Sequence, residues 1–214
     1  MEVELYLDYA CPWSYLGFSR LKETATRTGA HVVLKPVVLD GLLADAGPPL
    51  DDSRHEGHPA RARYQVKDLN DWADYCGIVL RRPEDWPADS NLAGQGALLA
   101  LDADRGMAYS TCVFQAYFER GEDLTDIATL RRAAEAAGLS GDPFEHALPN
   151  AALEERLRHN CRELLDRGGF GSPTLFVADA MFFGHDRMPL VEFALGQSSG
   201  RQFVAPGDHK AGSI

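Results

Sequence analysis

The sequence predicts an α/β protein in which a block of helices interrupts a small four-stranded sheet. Residues 2–38 show the pattern strand, helix, strand, whereas residues 60–167 show helical patterns alone. Strand signals return only after residue 173, and a final helix follows them. We therefore expect one sheet domain built from residues 1–40 and 168–200, with the helical domain inserted between its two halves.

The first part of the chain predicts a βαβ unit. Residues 3–7 form an apolar strand, a helix follows to about residue 27, and residues 31–38 are rich in β-branched side chains. The unit is long enough for a right-handed crossover between parallel strands. Residues 41–59 contain Gly, Pro, Asp and His without an apolar period, which predicts a loop.

The helical block and the closing part follow from apolar spacing and from glycines. Each helix of the block is expected to end at a glycine, as C-terminal caps often do. The predicted helices cover residues 60–75, 91–105, 107–120, 126–137 and 150–167. After them, residues 174–177 and 180–183 predict a hairpin, 187–196 a closing helix and 201–214 a polar tail.

Composition excludes several classes of function. The chain has 21 Lys and Arg against 32 Asp and Glu, a net charge of −11 with no basic cluster, which argues against nucleic-acid binding. No apolar run approaches the roughly 20 residues of a membrane helix, and the N-terminus lacks signal-peptide features. We expect a cytoplasmic protein. Its four widely spaced cysteines predict neither a metal site nor structural disulfides.

Cys11 is the first candidate catalytic residue, because it lies where the first strand passes into its helix. Backbone N–H groups and the helix dipole at such a position stabilise a thiolate, so we expect a lowered pKa. Pro12 suits the first helical position, which needs no N–H. A buried, unreactive cysteine is the alternative interpretation.

Ser14 occupies the position where a second cysteine would complete a Cys-x-x-Cys motif. Its hydroxyl can donate a hydrogen bond toward a sulfur anion but cannot resolve a disulfide. A solvated serine of the first helical turn is the alternative. Trp13, one residue earlier, is expected either to wall a ligand cleft or to pack in the core.

Ser172 and Pro173 precede a buried strand. A proline is tolerated there at the first strand residue, and a cis bond would leave the Ser172 N–H and C=O free for a peptide-like ligand. An ordinary trans proline at a strand edge is the alternative. These two residues are the second candidate site segment.

Gly184-His185-Asp186-Arg187 is the third candidate segment. Asp186 either caps the closing helix or binds an ammonium group while neighbouring donors hold a carboxylate. His185 is interpreted as a general base or, more simply, as an ordinary surface histidine.

Together these segments resemble the DsbA-like thioredoxin-fold superfamily with a helical insertion. This group includes frenolicin-cluster type disulfide oxidoreductases, 2-hydroxychromene-2-carboxylate isomerases and kappa-class glutathione transferases. The oxidoreductases carry Cys-Pro-Trp-Cys-Tyr, and the glutathione-using members carry a pattern close to Asp-x-x-Ser-Pro-x-Ser-Tyr-Leu. This chain combines the two, since it has Asp8 and Ser14 of the second pattern but Cys11 in place of its first serine.

The resemblance implies a thioredoxin-like fold, glutathione as a thiol cosubstrate, no metal, and a homodimer. It implies catalytic roles for Cys11 and Ser14. In the glutathione-using members, the residue at position 11 lies against the glutathione sulfur and the Gly-x-Asp-Arg segment helps to hold the γ-glutamyl end. The implied binding residues are Pro12, Trp13, Ser172, Pro173, Asp186 and Arg187.

Three functions stay open on the sequence alone. The first is a monothiol oxidoreductase, in which glutathione releases the mixed disulfide that Cys11 cannot resolve by itself. The second is a glutathione-dependent isomerase or transferase acting on a small electrophile. The third is a peptide-binding module without turnover.

Overall fold

The computed structural model describes residues 1–38, 59–81, 83–84 and 86–203 of the 214-residue chain. A single four-stranded sheet lies at its centre among these residues, in the order β2-β1-β3-β4. Its strands are β1 (Glu2–Leu7), β2 (His31–Pro36), β3 (Thr174–Val177) and β4 (Ala180–Phe183). All four were predicted, because their β-branched and apolar runs are bounded by turn residues.

The register of the sheet brings the candidate segments to one edge. β1 pairs with β2 in parallel and with β3 antiparallel, and β3 pairs antiparallel with β4. Tyr6 of β1 lies opposite Thr174 of β3, which lies opposite Phe183 of β4. The end of β1, the start of β3 and the end of β4 therefore lie side by side.

Helices cover both faces of the sheet and continue into a helical layer. Their bounds are α1 (Pro12–Thr28), α2 (Pro59–Cys76), α3 (Asn91–Asp102), α4 (Gly106–Phe114), α5 (Ile127–Ala136), α6 (Gly141–His146), α7 (Ala151–Asp166) and α8 (Met188–Ser199). A π-helical turn, Gln115–Glu119, continues α4, and a 3-10 turn, His185–Arg187, precedes α8.

Among the described residues, the core has two parts, one on each side of the sheet. The larger part joins the sheet to α1, α8 and the helical layer, and includes Leu5, Phe18, Phe114 and Leu175. The smaller part lies under α7, where Tyr6 and Phe176 pack against buried side chains that include Leu164. The predicted fold class, a thioredoxin-like sheet with a helical insertion, is confirmed.

Some predicted bounds are wrong. The closing helix does not stop at residue 196 but continues to Ser199, where Gly200 adopts a left-handed φ of 65°. Helix α6 was not predicted, since its short sequence contains glycine and proline. The predicted loop 41–59 lies outside the described residues except for Pro59, and the tail 201–214 does so from residue 204 on. The division into two domains stays a prediction.

No helix among residues 1–38, 59–81 and 86–203 combines the length and the apolar character that crossing a membrane requires.

Candidate active site

Cys11 is the N-cap residue of α1, and its backbone is extended with φ −94° and ψ 116°. Pro12 follows at the first helical position, as predicted. Asp8 shapes the preceding turn, because its Oδ1 accepts a hydrogen bond from the Ala10 N–H at 2.8 Å and its carbonyl oxygen accepts one from the Cys11 N–H at 3.2 Å. The turn that connects β1 to α1 is therefore stabilised by hydrogen bonds to Asp8.

The Cys11 thiol lies against the Ser172–Pro173 segment. Its Sγ donates to the Ser172 carbonyl oxygen at 3.5 Å, and the Ser172–Pro173 peptide bond is cis. The predicted cis bond is confirmed, but the Ser172 carbonyl is not free as expected. Only 9% of the Cys11 surface is exposed.

Ser14 joins the same two segments. Its side chain is fully buried, and its Oγ donates to the Ser172 Oγ at 2.9 Å. The same Oγ accepts a hydrogen bond from the Asp8 backbone N–H at 3.3 Å. The alternative of a solvated serine is therefore wrong, and a hydroxyl stands where a dithiol motif would place its second sulfur.

Burial decides the protonation state of Cys11. The apolar surroundings raise the pKa of this thiol above its ordinary value, and the Asp8 carboxylate raises it further. Hydrogen bonds from Ser14 and Ser172 act in the opposite direction but do not outweigh burial. The expectation of a lowered pKa is wrong, and Cys11 carries its proton at neutral pH.

His185 is buried, contrary to the interpretation as a surface residue. Its imidazole stacks on the half-buried Trp13 with centroids 5.0 Å apart, and Trp72 of α2 meets it edge-on at 4.6 Å. Its Nδ1 has no hydrogen-bond partner among the described residues. Burial lowers the pKa of His185 to about 4, so the imidazole is neutral.

Asp186 and Arg187 extend from the same turn into solvent. Arg187 donates to the Asp186 carboxylate at 2.9 Å, and both side chains are well exposed. The helix α8 has Arg187 as its N-cap residue and no side-chain cap, so the expectation that Asp186 caps it is wrong. Among the described residues, no group of His, Cys, Asp and Glu side chains could hold a metal ion.

Sequence reasoning missed two contacts that the helical insertion makes with this site. The Trp86 indole N–H donates to the Ala10 carbonyl oxygen at 2.9 Å. The Tyr15 hydroxyl donates to the Glu119 carboxylate at 2.7 Å, so Tyr15 packs in the core. A tryptophan in a loop gives no sequence signal of its partner, whereas the π-helical turn that holds Glu119 is typical of functional regions.

The chain is similar to known proteins over most of its length. Residues 2–196 match the family model of the DSBA-like thioredoxin domain. The 2-hydroxychromene-2-carboxylate isomerase of Sphingobium xenophagum is 30% identical over 191 residues, which are 89% of this chain and 95% of that protein. Glutathione S-transferase kappa 1 of Homo sapiens is 26% identical over 210 residues, 91% of each protein.

A solved structure shows the same fold at similar identity. It is that of a 2-hydroxychromene-2-carboxylate isomerase, which superposes with a TM-score of 0.82 and 28% identity over 93% of this chain and 96% of the other. These similar proteins are isomerases and a transferase. The prediction that this chain is an enzyme is confirmed.

Proposed function

This chain belongs to the family of DSBA-like thioredoxin domains, and from that premise we propose that it is a glutathione-dependent isomerase or transferase acting on small electrophiles. Its similarity to 2-hydroxychromene-2-carboxylate isomerases and to a kappa-class glutathione transferase supports this choice. Because one fold serves several reactions, the site must decide between them. The observation that carries the proposal is a buried Cys11 that donates to the Ser172 carbonyl, with a serine in place of the second cysteine.

A neutral thiol at position 11 suits the role of hydrogen-bond donor. Cys11 and Ser14 both carry donors at the N-terminus of α1, where the helix dipole also favours negative charge. Both groups now donate to Ser172, so each would turn from Ser172 toward a bound anion and stabilise it there. Bound glutathione would supply that anion as a thiolate that adds to an electrophilic carbon and, in an isomerisation, leaves again by elimination.

The exposed Asp186 and Arg187 fit the γ-glutamyl end of glutathione. That end carries an ammonium group and a carboxylate, and the two side chains supply the opposite charges side by side. We assign the ammonium to Asp186 and the carboxylate to Arg187. Pro12, Trp13, Ser172 and Pro173 would line the rest of the glutathione site.

A monothiol oxidoreductase is the second candidate. The position of the Cys11 Sγ against the Ser172–Pro173 segment favours it. Cys11 would attack a substrate disulfide, so that one S–S bond breaks as another forms. A glutathione thiolate would then break the mixed disulfide and release the Cys11 thiolate. The raised pKa of Cys11 works against the first step, which is why this function ranks second.

Either function suits the predicted cytoplasmic location, where glutathione sets the redox poise.

The two functions make opposite predictions for Cys11→Ser. A hydroxyl donates as a thiol does, so isomerase or transferase activity should fall by less than about tenfold, whereas Cys11→Ala should lose about 100-fold or more. Disulfide exchange would be lost in both variants. The rates are measured with glutathione and either 2-hydroxychromene-2-carboxylate, a nitro-activated aryl chloride, or a peptide disulfide.

Cys112→Ser on α4 is the matched control and should leave every rate unchanged. Millimolar glutathione should raise the melting temperature of both Cys11 variants, which separates binding from chemistry. Loss of disulfide exchange in Cys11→Ser, with no isomerase or transferase activity in the parent protein, would overturn the proposal in favour of the oxidoreductase.

A further inference from the structure

The peptide unit that joins Ala10 to Cys11 is held at both ends. Its carbonyl oxygen accepts the Trp86 indole N–H at 2.9 Å, and its N–H donates to the Asp8 carbonyl at 3.2 Å. A peptide unit is planar, so two such bonds fix the orientation of its plane. That orientation places the Cys11 Cα, from which the thiol side chain extends.

Trp86 reaches this peptide from a connector that is itself anchored. The connector lies between Cys76, the last residue of α2, and Asn91, the first residue of α3. Before Trp86 in the chain, the Arg81 N–H donates to the Phe118 carbonyl at 2.8 Å, and after it the Ala88 N–H donates to the Tyr117 hydroxyl at 3.1 Å. Both acceptors belong to the π-helical turn of the insertion.

The same π-helical turn also holds α1 directly. Glu119 accepts the Tyr15 hydroxyl, and the Tyr15 ring stacks on Phe114 and Phe118 with centroids 5.0 Å and 5.9 Å apart. The first turn of α1 therefore contacts the π-helical turn directly, and the peptide before α1 contacts Trp86, which lies between two residues that are bonded to the same turn.

We propose that Trp86 is a positioning residue, whose indole N–H fixes the Ala10–Cys11 peptide and thereby directs the Cys11 thiol at the Ser172 carbonyl. The helical insertion then restrains the reactivity of a thiol that belongs to the sheet domain. Trp86 acts through Ala10 and Cys11, since its own donor is occupied by the Ala10 carbonyl.

Trp86→Phe tests this because it keeps an aromatic ring and removes only the donor. Released from its fixed direction, the Cys11 thiol should lose part of its contact with Ser172 and gain solvent. We expect its alkylation by iodoacetamide to become at least about threefold faster at pH 8, with the pH profile displaced toward lower pH. An unchanged pH profile in a folded variant would overturn the proposal.

Tyr109→Phe is the matched control. It removes another aromatic donor to a backbone carbonyl of the insertion, since the Tyr109 hydroxyl donates to Ala93 at 3.4 Å. If Trp86 were merely structural, both variants would lower the melting temperature and neither would move the Cys11 profile. If the pH profile of Cys11 alkylation were displaced in both variants, that result would also contradict a specific role for Trp86.

A second measurement keeps the proposal testable if Trp86→Phe does not fold. In the protein with Trp86 intact, carboxamidomethylation of Cys11 should shift the indole N–H resonance of Trp86 in an NMR spectrum more than that of Trp72. A Trp86 resonance that does not shift would overturn the proposal. These measurements require no glutathione, so their outcome does not depend on the proposed function. With glutathione-dependent turnover, Trp86→Phe should lower kcat and leave KM for glutathione unchanged.

Discussion

Asp8 has two separable effects on the thiol of Cys11. Its Oδ1 accepts the Ala10 N–H and so builds the turn, while its negative charge raises the pKa of Cys11. An asparagine keeps the oxygen acceptor and removes the charge. The structural effect and the electrostatic effect can therefore be tested one at a time.

Asp8→Asn should lower the pKa of Cys11, because a nearby carboxylate disfavours the thiolate. Alkylation at a fixed pH below that pKa should accelerate by up to about tenfold, the change in thiolate fraction that one pKa unit produces. The measurement is the pH profile of the iodoacetamide reaction. In the parent protein this profile should have its midpoint above that of a free cysteine.

Asp89→Asn is the control for this change. Asp89 forms the same kind of turn, since its Oδ1 accepts the Asn91 N–H at 2.9 Å, but it lies at the start of α3. Its substitution should leave Cys11 alkylation unaltered. A Cys11 profile that Asp8→Asn fails to move would show that burial alone sets this pKa.

The sequence predicted the position of Cys11 but not its protonation state. Proline at the first helical position and an apolar strand before it are local signals, and they place the cysteine at the N-terminus of α1 correctly. The pKa depends instead mainly on burial, which raises it, whereas the hydrogen bond with Ser172, 161 positions away, only partly offsets that effect. Local geometry favoured the thiolate, and the tertiary packing reversed the balance.

Helix α1 approaches the Ser172–Pro173 segment closely because residue 17 has no side chain. A Cβ at Gly17 would lie 2.9 Å from the Pro173 Cγ and 3.1 Å from its Cβ. These distances are shorter than van der Waals contact, and a proline ring cannot turn aside. Gly17 therefore permits the spacing at which Ser14 and Cys11 reach Ser172.

Gly17→Ala should fail to stabilise the protein despite the better helix propensity of alanine. At an open helical position this change would stabilise by about 1 kcal/mol. Here the overpacking against Pro173 should cost about 1–3 kcal/mol, so that the net effect is unfavourable or close to zero. Urea unfolding monitored by circular dichroism measures the difference.

Gly94→Ala in α3 supplies the comparison. A Cβ at Gly94 would meet the Leu157 Cδ2 at 3.0 Å, but that methyl group ends a flexible side chain and can move. We expect Gly94→Ala to be more stable than Gly17→Ala. The reverse order would contradict the close packing of α1 on Pro173.

Elements with a clear period were predictable, and those fixed by packing were not. The hairpin of β3 and β4 has short apolar runs on either side of a turn, and both strands were found where expected. Helix α6 has only six residues, including glycine and proline, and its sequence carries no apolar period. It forms beside α5, where Arg131 bonds Asp142 and Glu145.

At the scale of the whole molecule, the contacts that complete the site join distant parts of the chain. Trp86 and Ala10 are separated by 76 positions, and no local pattern links them. The resemblance to known families supplied the fold and the candidate residues, but it could not supply this contact. Such pairings depend on how the insertion packs against α1, which a single sequence does not reveal.

His185 is a buried titratable group whose surroundings come from several separate elements. Trp13 of α1 and Trp72 of α2 enclose its ring, and this burial is the main cause of its lowered pKa. The nearby carboxylates Asp186 and Asp68 raise the pKa, while the nearby cations Arg20 and Arg187 lower it, and these charges have smaller effects than burial.

The burial of His185 makes the stability of the whole protein depend on pH. The folded chain protonates this ring only near pH 4, whereas the unfolded chain protonates it near 6.5. The free energy of unfolding should therefore fall as pH drops from about 6.5 toward 4, by up to about 1.4 kcal/mol per pH unit, and should not depend on this ring above that range. His185→Phe keeps the stack on Trp13, and its free energy of unfolding, measured with urea at pH 7, 6 and 5, should depend less on pH. Substitution of an exposed histidine, His159→Phe, is the control and should keep the pH dependence of the parent protein. Equal slopes in the parent protein and His185→Phe would mean that other groups cause the loss.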